Sequence, residues 1–276
     1  MLRRLVPFLI CPWCSATNLE LSGTATRVEN GSLRCPTCAK STDITGGVWL
    51  AMGPHKRQGS IAQLTNVWPT PLFYESLWRP GALGRFSGRR FPLSEELGEL
   101  CAALEPGPTS TFVDVACSEG LYARTLARNG AAVFAVEHSV PMLHKVVRRS
   151  GDLPVVAVQA VAQHMPFATA SLTGAAIGGS MNEIGNRVGA TAEMARVIQP
   201  TGRVFSMHLN RGRTAAGRLL QAALGSSGIV FDTPEGWRRD FAAGGLVPTN
   251  ELTDAIVTRM TLMRTSPAHD QQIPRG

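Results

Sequence analysis

Val113-Asp114-Val115-Ala116-Cys117-Ser118-Glu119-Gly120-Leu121-Tyr122 is the stretch on which the fold turns. Val113 to Val115 ends a strand-like run that begins at Thr111. A set of mostly small residues then opens a helical pattern from Leu121 to Asn129. Small residues at such a turn let the backbone approach a ligand, and the unpaired N–H groups of the helix's first turn face whatever sits there. A nicotinamide-type turn would read G-x-G-x-x-G after the first strand, and Ala116-Cys117-Ser118-Glu119-Gly120 lacks that pattern.

Outward from this turn, short apolar runs alternate with amphipathic stretches. Ala132 to Val136 reads as a strand and Val140 to Arg149 as a helix. Pro154 to Gln159 and Leu172 to Gly178 read as strands, Val188 to Ile198 as a helix, and Arg203 to His208 as a strand. That alternation predicts an α/β fold, a mainly parallel sheet with helices on both faces. Asp254 to Met263 reads as a long strand with no helix after it, which fits an antiparallel last strand. Upstream, Ser94 is expected to cap a helix with Leu97, Leu100, Cys101 and Leu104 on its apolar side, ended by Pro106-Gly107-Pro108. Cys101 is expected in the core. Phe73 to Arg79 has helical spacing, and residues 53–71 read as a polar linker.

Cys11-Pro-Trp-Cys14 and Cys35-Pro-Thr-Cys38 hold four of the six cysteines. A CxxC turn places two thiolates on one side of a tight knuckle, and two knuckles complete a tetrahedron around zinc at about 2.3 Å. Leu19 to Leu33 alternates like a hairpin around Glu29-Asn30-Gly31-Ser32, and Gly46-Gly47-Val48-Trp49-Leu50 reads as a closing strand. So few apolar side chains cannot hold this segment unaided, so metal binding is expected to supply folding energy. With Cys11, Cys14, Cys35 and Cys38 all bound to zinc, no position stays open for catalysis, and the metal is expected to be structural. The expected domains are a zinc ribbon over 1–52, a linker with N-terminal helices capping the substrate side over 53–108, and the large domain over 109–276.

The chain has 276 residues, 44% hydrophobic and 17% charged, which is globular. Its net charge of +7 and pI near 9.5 would suit a polyanion. The basic residues are scattered, however, with no run beyond pairs such as Arg3-Arg4 and Arg89-Arg90, and a solvated surface explains them equally well. The apolar run Leu5 to Ile10 is short, contains Pro7 and meets Cys11 without a small-residue cleavage site. No stretch approaches the ~18 to 20 apolar residues that span a bilayer. The expectation is a cytoplasmic protein with no membrane contact, its CxxC pairs serving as metal ligands in a reducing compartment.

Asp114 and Gly120 match the acid-and-glycine motif of class I S-adenosylmethionine-dependent methyltransferases (methyltransferase type 11-like), which this chain resembles. Ala116 and Ser118 stand where that family usually has glycine. Glu137 matches the family's ribose-binding acid at the tip of the second strand, with His138, Ser139 and Met142-Leu143 following. His164-Met165-Pro166-Phe167 resembles the "LPF" signature after the third strand. Glu193-Met194-Ala195-Arg196-Val197-Ile198-Gln199-Pro200-Thr201-Gly202-Arg203 resembles the helix-to-strand turn E-x-x-R-V-L-x-P-G-G. The resemblance covers roughly residues 111–208. It implies a Rossmann-like, seven-stranded, mostly parallel sheet and a cofactor site of Asp114, Ala116, Ser118, Gly120, Glu137, His138, Ala162 and Gln163. Val161 replaces the aspartate that usually holds the adenine amino group, which leaves that contact to backbone or to Gln163.

Methyl transfer asks for alignment, plus a base when the acceptor carries a proton. His208, ending the fifth strand, is the best base candidate because histidine titrates near neutral pH. A structural histidine at that strand end is an equal reading. Glu183, after the fourth strand, is the other candidate, with capping or substrate binding as its alternatives. Tyr74 and Trp78 are read as substrate-mouth or core residues. The chain lacks the Asn-Pro-Pro-Tyr and Asp-Pro-Pro-Tyr marks of base and glutamine methylation and the Pro-Cys nucleophile of cytosine enzymes.

Three readings remain, the first favoured. It is methylation of a small molecule, in natural-product or quinone-like metabolism; Phe73 to Arg79 resembles a segment of ribbon-bearing bacterial and plastid methyltransferases. Altered positions Ala116, Ser118 and Val161 leave room for a fold reused without methylation, for cyclisation or elimination such as aziridine formation, as one subunit of a complex. The third reading is an rRNA guanine methyltransferase, whose linker Pro54 to Ser60 resembles, though that family's ribbon has shorter spacing and a histidine ligand. A protein partner would dock through the ribbon, and RNA is the lesser expectation.

Overall fold

The computed structural model describes residues 1–54, 86–225 and 228–265. Phe73 to Arg79, with Tyr74 and Trp78, and the linker beyond Pro54 lie outside the described residues.

The N-terminal segment builds β1 (Glu20–Leu21), β2 (Gly31–Arg34), β3 (Ser41–Thr45) and β4 (Val48–Leu50). Gly31-Ser32 already belongs to β2, so the expected turn ends at Asn30. Gly46 and Gly47, with φ of 55° and 81°, make the β3–β4 turn and shorten the closing strand to three residues. Then come α1 (Leu93–Leu104), β5 (Thr111–Val115), α2 (Leu121–Arg128), β6 (Ala132–Glu137), α3 (Val140–Ser150), β7 (Val155–Gln159) and β8 (Leu172–Gly178). The chain closes with α4 (Arg187–Val197), β9 (Ile198–Leu209), α5 (Ala215–Gly225), α6 (Pro234–Ala243), β10 (Leu246–Asp254) and β11 (Val257–Arg264). Helix α1 begins a residue before Ser94 and has no side-chain cap. Its first-turn acids are held instead by Arg89, which pairs with Glu95, and by the Tyr122 hydroxyl, which donates to Glu96 Oε1 at 2.5 Å. Cys101 is only half-buried.

Among the described residues one sheet of eleven strands, not seven, runs in the order β1-β2-β3-β4-β7-β6-β5-β8-β9-β11-β10. The difference arises because the N-terminal segment's closing strand does not end its own hairpin. Val48, Trp49 and Leu50 pair in parallel with Ala157, Val158 and Gln159, so β4 covers what would be the open edge of β7. The strands from β7 through β9 are parallel, and β11 and β10 return antiparallel as expected for the last strand. Sequence reading merged Asp254 into that last strand, whereas it ends β10.

Strands β5 and β6 are buried on both faces, so they carry near-continuous apolar runs rather than alternation. On one face Phe112, Val133, Ala135 and Phe205 meet Leu100, Leu104, Leu126, Leu143 and Val146 of α1, α2 and α3. On the other, Val113, Phe134, Val158 and Val204 meet Met194 of α4, Trp237 and Phe241 of α6, and the ribbon's Leu5, Leu9, Leu33 and Trp49. The connection from β7 to β8 contains no helix, and the apolar residues of the N-terminal segment take that place. Phe134 packs on Phe167 at 4.7 Å between ring centroids and on Phe8 at 6.2 Å.

The turn from β5 into α2 puts Ala116, Ser118 and Gly120 in the left-handed region, with φ of 50°, 51° and 75°. A Cβ there costs about 1 to 2 kcal/mol per residue, so two of the three positions are strained. Gly120 has a second reason to lack a side chain, since a Cβ would sit 3.1 Å from Val146. Gly178, ending β8, lies under the ring of Tyr122, where a Cβ would fall 2.6 Å from Cε2. Ala116→Gly and Ser118→Gly should each stabilise the chain by about 1 kcal/mol or less, the strain relieved minus glycine's extra unfolded freedom, read as a higher urea midpoint. Gly178→Ala should lower that midpoint, by about 1 to 3 kcal/mol of overpacking.

Candidate cofactor and metal sites

At the carboxyl ends of the parallel strands, four connections come together: 116–120, 137–139, 160–164 and 178–183. Glu137, at the tip of β6, is 5% exposed. Its Oε2 accepts the backbone N–H of Ser118 at 3.2 Å and its Oε1 that of Ser139 at 2.9 Å, while His138 Nδ1 lies 2.8 Å from Oε1. One carboxylate thus ties the β5–α2 turn to the start of α3. Ser180 adds a tie from the β8 side, its hydroxyl donating to the Ala116 carbonyl at 3.1 Å. Ser139 and Ser180 were not read as site residues because their contributions depend on which loops meet.

Asp114 lies deeper. Its Oδ2 accepts the N–H of Ala123 at 2.8 Å, so this acid holds the first turn of α2 and complements the positive end of that helix. Glu119, 2% exposed, turns the other way and is gripped by Lys145 and by Arg149, the latter at 2.6 Å, both from α3. The turn is therefore anchored from both sides.

Ala162 is buried and Gln163 half-buried in the connection after β7. The Gln163 side chain reaches the Asn186 carbonyl at 3.5 Å, and the Val161 carbonyl accepts the His164 N–H at 3.0 Å in a tight turn.

Glu183 ends the short helical turn Ser180–Glu183 after β8. Burial, and behind it the negative charge of Glu137, push its carboxyl up to about 7 from 4.5, with His138 opposing. Ala116, Ser118, Gly120, Glu137, His138 and Glu183 thus share one end of the sheet. His208 does not join them. It is fully buried beneath α6, its ring 4.5 Å from Trp237 and 5.8 Å from Phe241, with Ser206 Oγ 3.5 Å from Nδ1. Burial, with a smaller contribution from Arg187, drives its pKa down to about 3.

The four cysteines meet at the other end of the N-terminal segment. Cys11 Sγ lies 3.6 Å from Cys38 Sγ and Cys14 Sγ 3.6 Å from Cys35 Sγ, with all four sulfurs within 4.8 Å of one another. A disulfide would need about 2.05 Å. A tetrahedral ion with bonds of about 2.3 Å sets its sulfurs about 3.8 Å apart, close to the spacing here. Each knuckle is closed by backbone: Ser15 N–H donates to the Cys11 carbonyl at 2.9 Å, and Cys35 N–H to the Lys40 carbonyl at 2.8 Å. The Cys38 amide draws the Cys35 thiol below its ordinary value, while burial pushes the Cys11 thiol up.

Residues 113–206 match the methyltransferase domain family. The demethylmenaquinone methyltransferase of Mycobacterium sp. (strain KMS) is 36% identical over 117 residues, which cover 41% of this chain and 49% of that protein. The chain spans about half the length of the curated relatives it matches. Among solved structures, the geranyl diphosphate C-methyltransferase of Streptomyces coelicolor A3(2) superposes with a TM-score of 0.53 at 16% identity, covering 63% of this chain and 79% of that one. A chain from a complex of the Haloferax volcanii Trm112 methyltransferase activator gives 0.58 at 11% identity, over 76% of this chain and 100% of that one. These likenesses speak for the fold, and the matched span runs from β5 into β9, through the strained turn, Glu137 and Glu183. Residues 113–206 are thus similar to a methyltransferase domain, and the sheet has the class I methyltransferase fold, extended at one edge by a four-cysteine segment.

Proposed function

We propose that the chain is an S-adenosylmethionine-dependent methyltransferase whose acceptor is a small, proton-bearing molecule of the quinol type, with a structural zinc on its four cysteines. The observation that carries this reading is the convergence of the strained 116–120 turn, Glu137 and Glu183 at one end of the sheet. The names of the matched relatives, which act on demethylmenaquinone, support the acceptor class. S-adenosylmethionine, when bound, supplies a methyl group on a positively charged sulfur.

The chain's residues would serve that chemistry in distinct ways. Backbone at 116–120 admits a ligand closely because its residues are small. After the Ser118 and Ser139 amides and His138 Nδ1, Glu137 keeps a lone pair on Oε2, which suits a ribose hydroxyl. Glu183 would take the acceptor's proton as the new bond to the methyl carbon forms and the carbon–sulfur bond breaks, its electron pair going to sulfur. A carboxyl held at about 7 is half-ionised at neutral pH and matched to that task. His208, neutral down to about 3 and enclosed by aromatic rings, is too weak a base and sits outside the cleft.

Calorimetry with S-adenosylmethionine tests the reading directly: binding to the wild type and at least tenfold weaker binding to Glu137→Ala are expected, and no heat with the wild type would end it. With a demethylated quinol acceptor, kcat should rise with pH through about 7 as Glu183 ionises. Glu183→Gln should remove that limb and cost roughly 100-fold or more, while His208→Gln should leave the limb in place. Stability should move the opposite way. A carboxyl whose folded pKa lies above its unfolded value binds its proton more tightly in the folded chain, so stability falls as pH rises from about 4.5 to about 7. Glu183→Gln should flatten that part of a denaturation-against-pH curve.

A further inference from the structure

The connection between β7 and β8, which carries Ala162 and Gln163, is held at both ends by the four-cysteine segment. On its near side, β4 pairs with β7 up to Leu50 opposite Gln159. The Gln159 amide then donates to the His138 carbonyl at 3.2 Å, beside Glu137, and the Ala160 N–H reaches the Glu137 carbonyl at 3.3 Å. On its far side, Phe8, Leu9 and Ile10 form a short antiparallel strap. Ile10 N–H donates to the Pro166 carbonyl at 3.0 Å, Ala168 N–H donates to the Phe8 carbonyl at 2.8 Å, and Leu9 bridges Phe167. The residue after Ile10 is Cys11, whose own N–H donates to the Ala16 carbonyl at 2.8 Å within the first knuckle.

Between knuckle and connection lies an open groove of about 560 Å³, walled by Cys11, Pro12 and Ser15 on one side and His164, Met165 and Pro166 on the other. Ile10, the last residue of the strap, lines the same groove. No helix lies within this connection, so its shape depends on the strap, the Leu50–Gln159 pairing and the contacts that Glu193 and Arg196 of α4 make to Met165 and Phe167. A metal that draws the four sulfurs together fixes Cys11, and with it the end of the strap.

We propose that metal at Cys11, Cys14, Cys35 and Cys38 and the adenosyl cofactor bind with positive coupling, each tightening the other through the Phe8–Ile10 strap and the 160–168 connection. The inference rests on the cofactor reading given above. Linkage makes the effect reciprocal: if metal raises cofactor affinity by some factor, cofactor raises metal affinity by the same factor.

The test uses the full, zinc-loaded chain. Zinc affinity is measured by equilibrium competition with a chromophoric chelator, with and without saturating S-adenosylhomocysteine, whose own binding is followed by calorimetry. Zinc should be held about 5-fold or more tightly when S-adenosylhomocysteine is bound, the lower end of ordinary coupling between sites. Equal zinc affinities while calorimetry shows S-adenosylhomocysteine bound would overturn the coupling and leave the cofactor reading intact. No heat with the zinc-loaded chain would overturn both. Ile10→Pro, which removes the N–H that reaches Pro166 but keeps every cysteine, should retain its zinc, bind S-adenosylhomocysteine about 5-fold or more weakly, and lose the reciprocal effect; Ile10→Ala, which keeps the N–H, should not. Should Ile10→Pro fail to fold, the wild-type competition decides alone.

Discussion

The carboxylate of Glu137 is the constraint around which the cleft is arranged. A buried charge of this kind is costly unless hydrogen bonds satisfy it, and here the donors are the backbone amides of Ser118 and Ser139. That requirement draws the β5–α2 turn onto the tip of β6 and helps to hold Ala116 and Ser118 at φ values that a Cβ disfavours. The same charge reaches Glu183 and raises its pKa on top of burial. One carboxylate therefore shapes the turn, anchors the start of α3 and adds to the effect of burial on a second carboxyl.

Deeper layers keep that arrangement from relaxing. Asp114 holds the first turn of α2 from below, and Lys145 and Arg149 hold Glu119 from α3. Asp114 and Glu119, two carboxylates flanking the strained backbone in sequence, fasten it to separate helices. Tyr122 completes the support, lying against Gly178 and donating to Glu96 of α1. Its reach explains why β8 must end in a residue without a side chain.

The four-cysteine segment does more than append a knuckle. A terminal parallel strand such as β7 would leave a row of unpaired backbone groups, and β4 covers them. Where the β7–β8 crossover lacks a helix, Leu5, Phe8 and Leu9 supply the apolar cover that a helix would have given, around Phe134 and Phe167. The four-cysteine segment and the parallel strands are thereby continuous in backbone hydrogen bonding.

Much of this was legible in the residues themselves. The apolar runs of β5, β6, β7 and β8 and the helices between them follow from local periodicity, the paired CxxC motifs from ligand spacing, and the turn from its small residues. Polar strand β10, Leu246–Asp254, escaped notice because an edge strand with one solvated face carries little apolar signal. What the tertiary structure alone decided concerns partners distant in sequence: that Val48–Leu50 joins β7, that His208 ends beneath Trp237 and Phe241 rather than in the cleft, and that Glu183 comes within the field of Glu137. Periodicity records which side of an element is apolar. Burial, pairing and charge proximity depend on what the rest of the chain brings against it, and no local pattern encodes that.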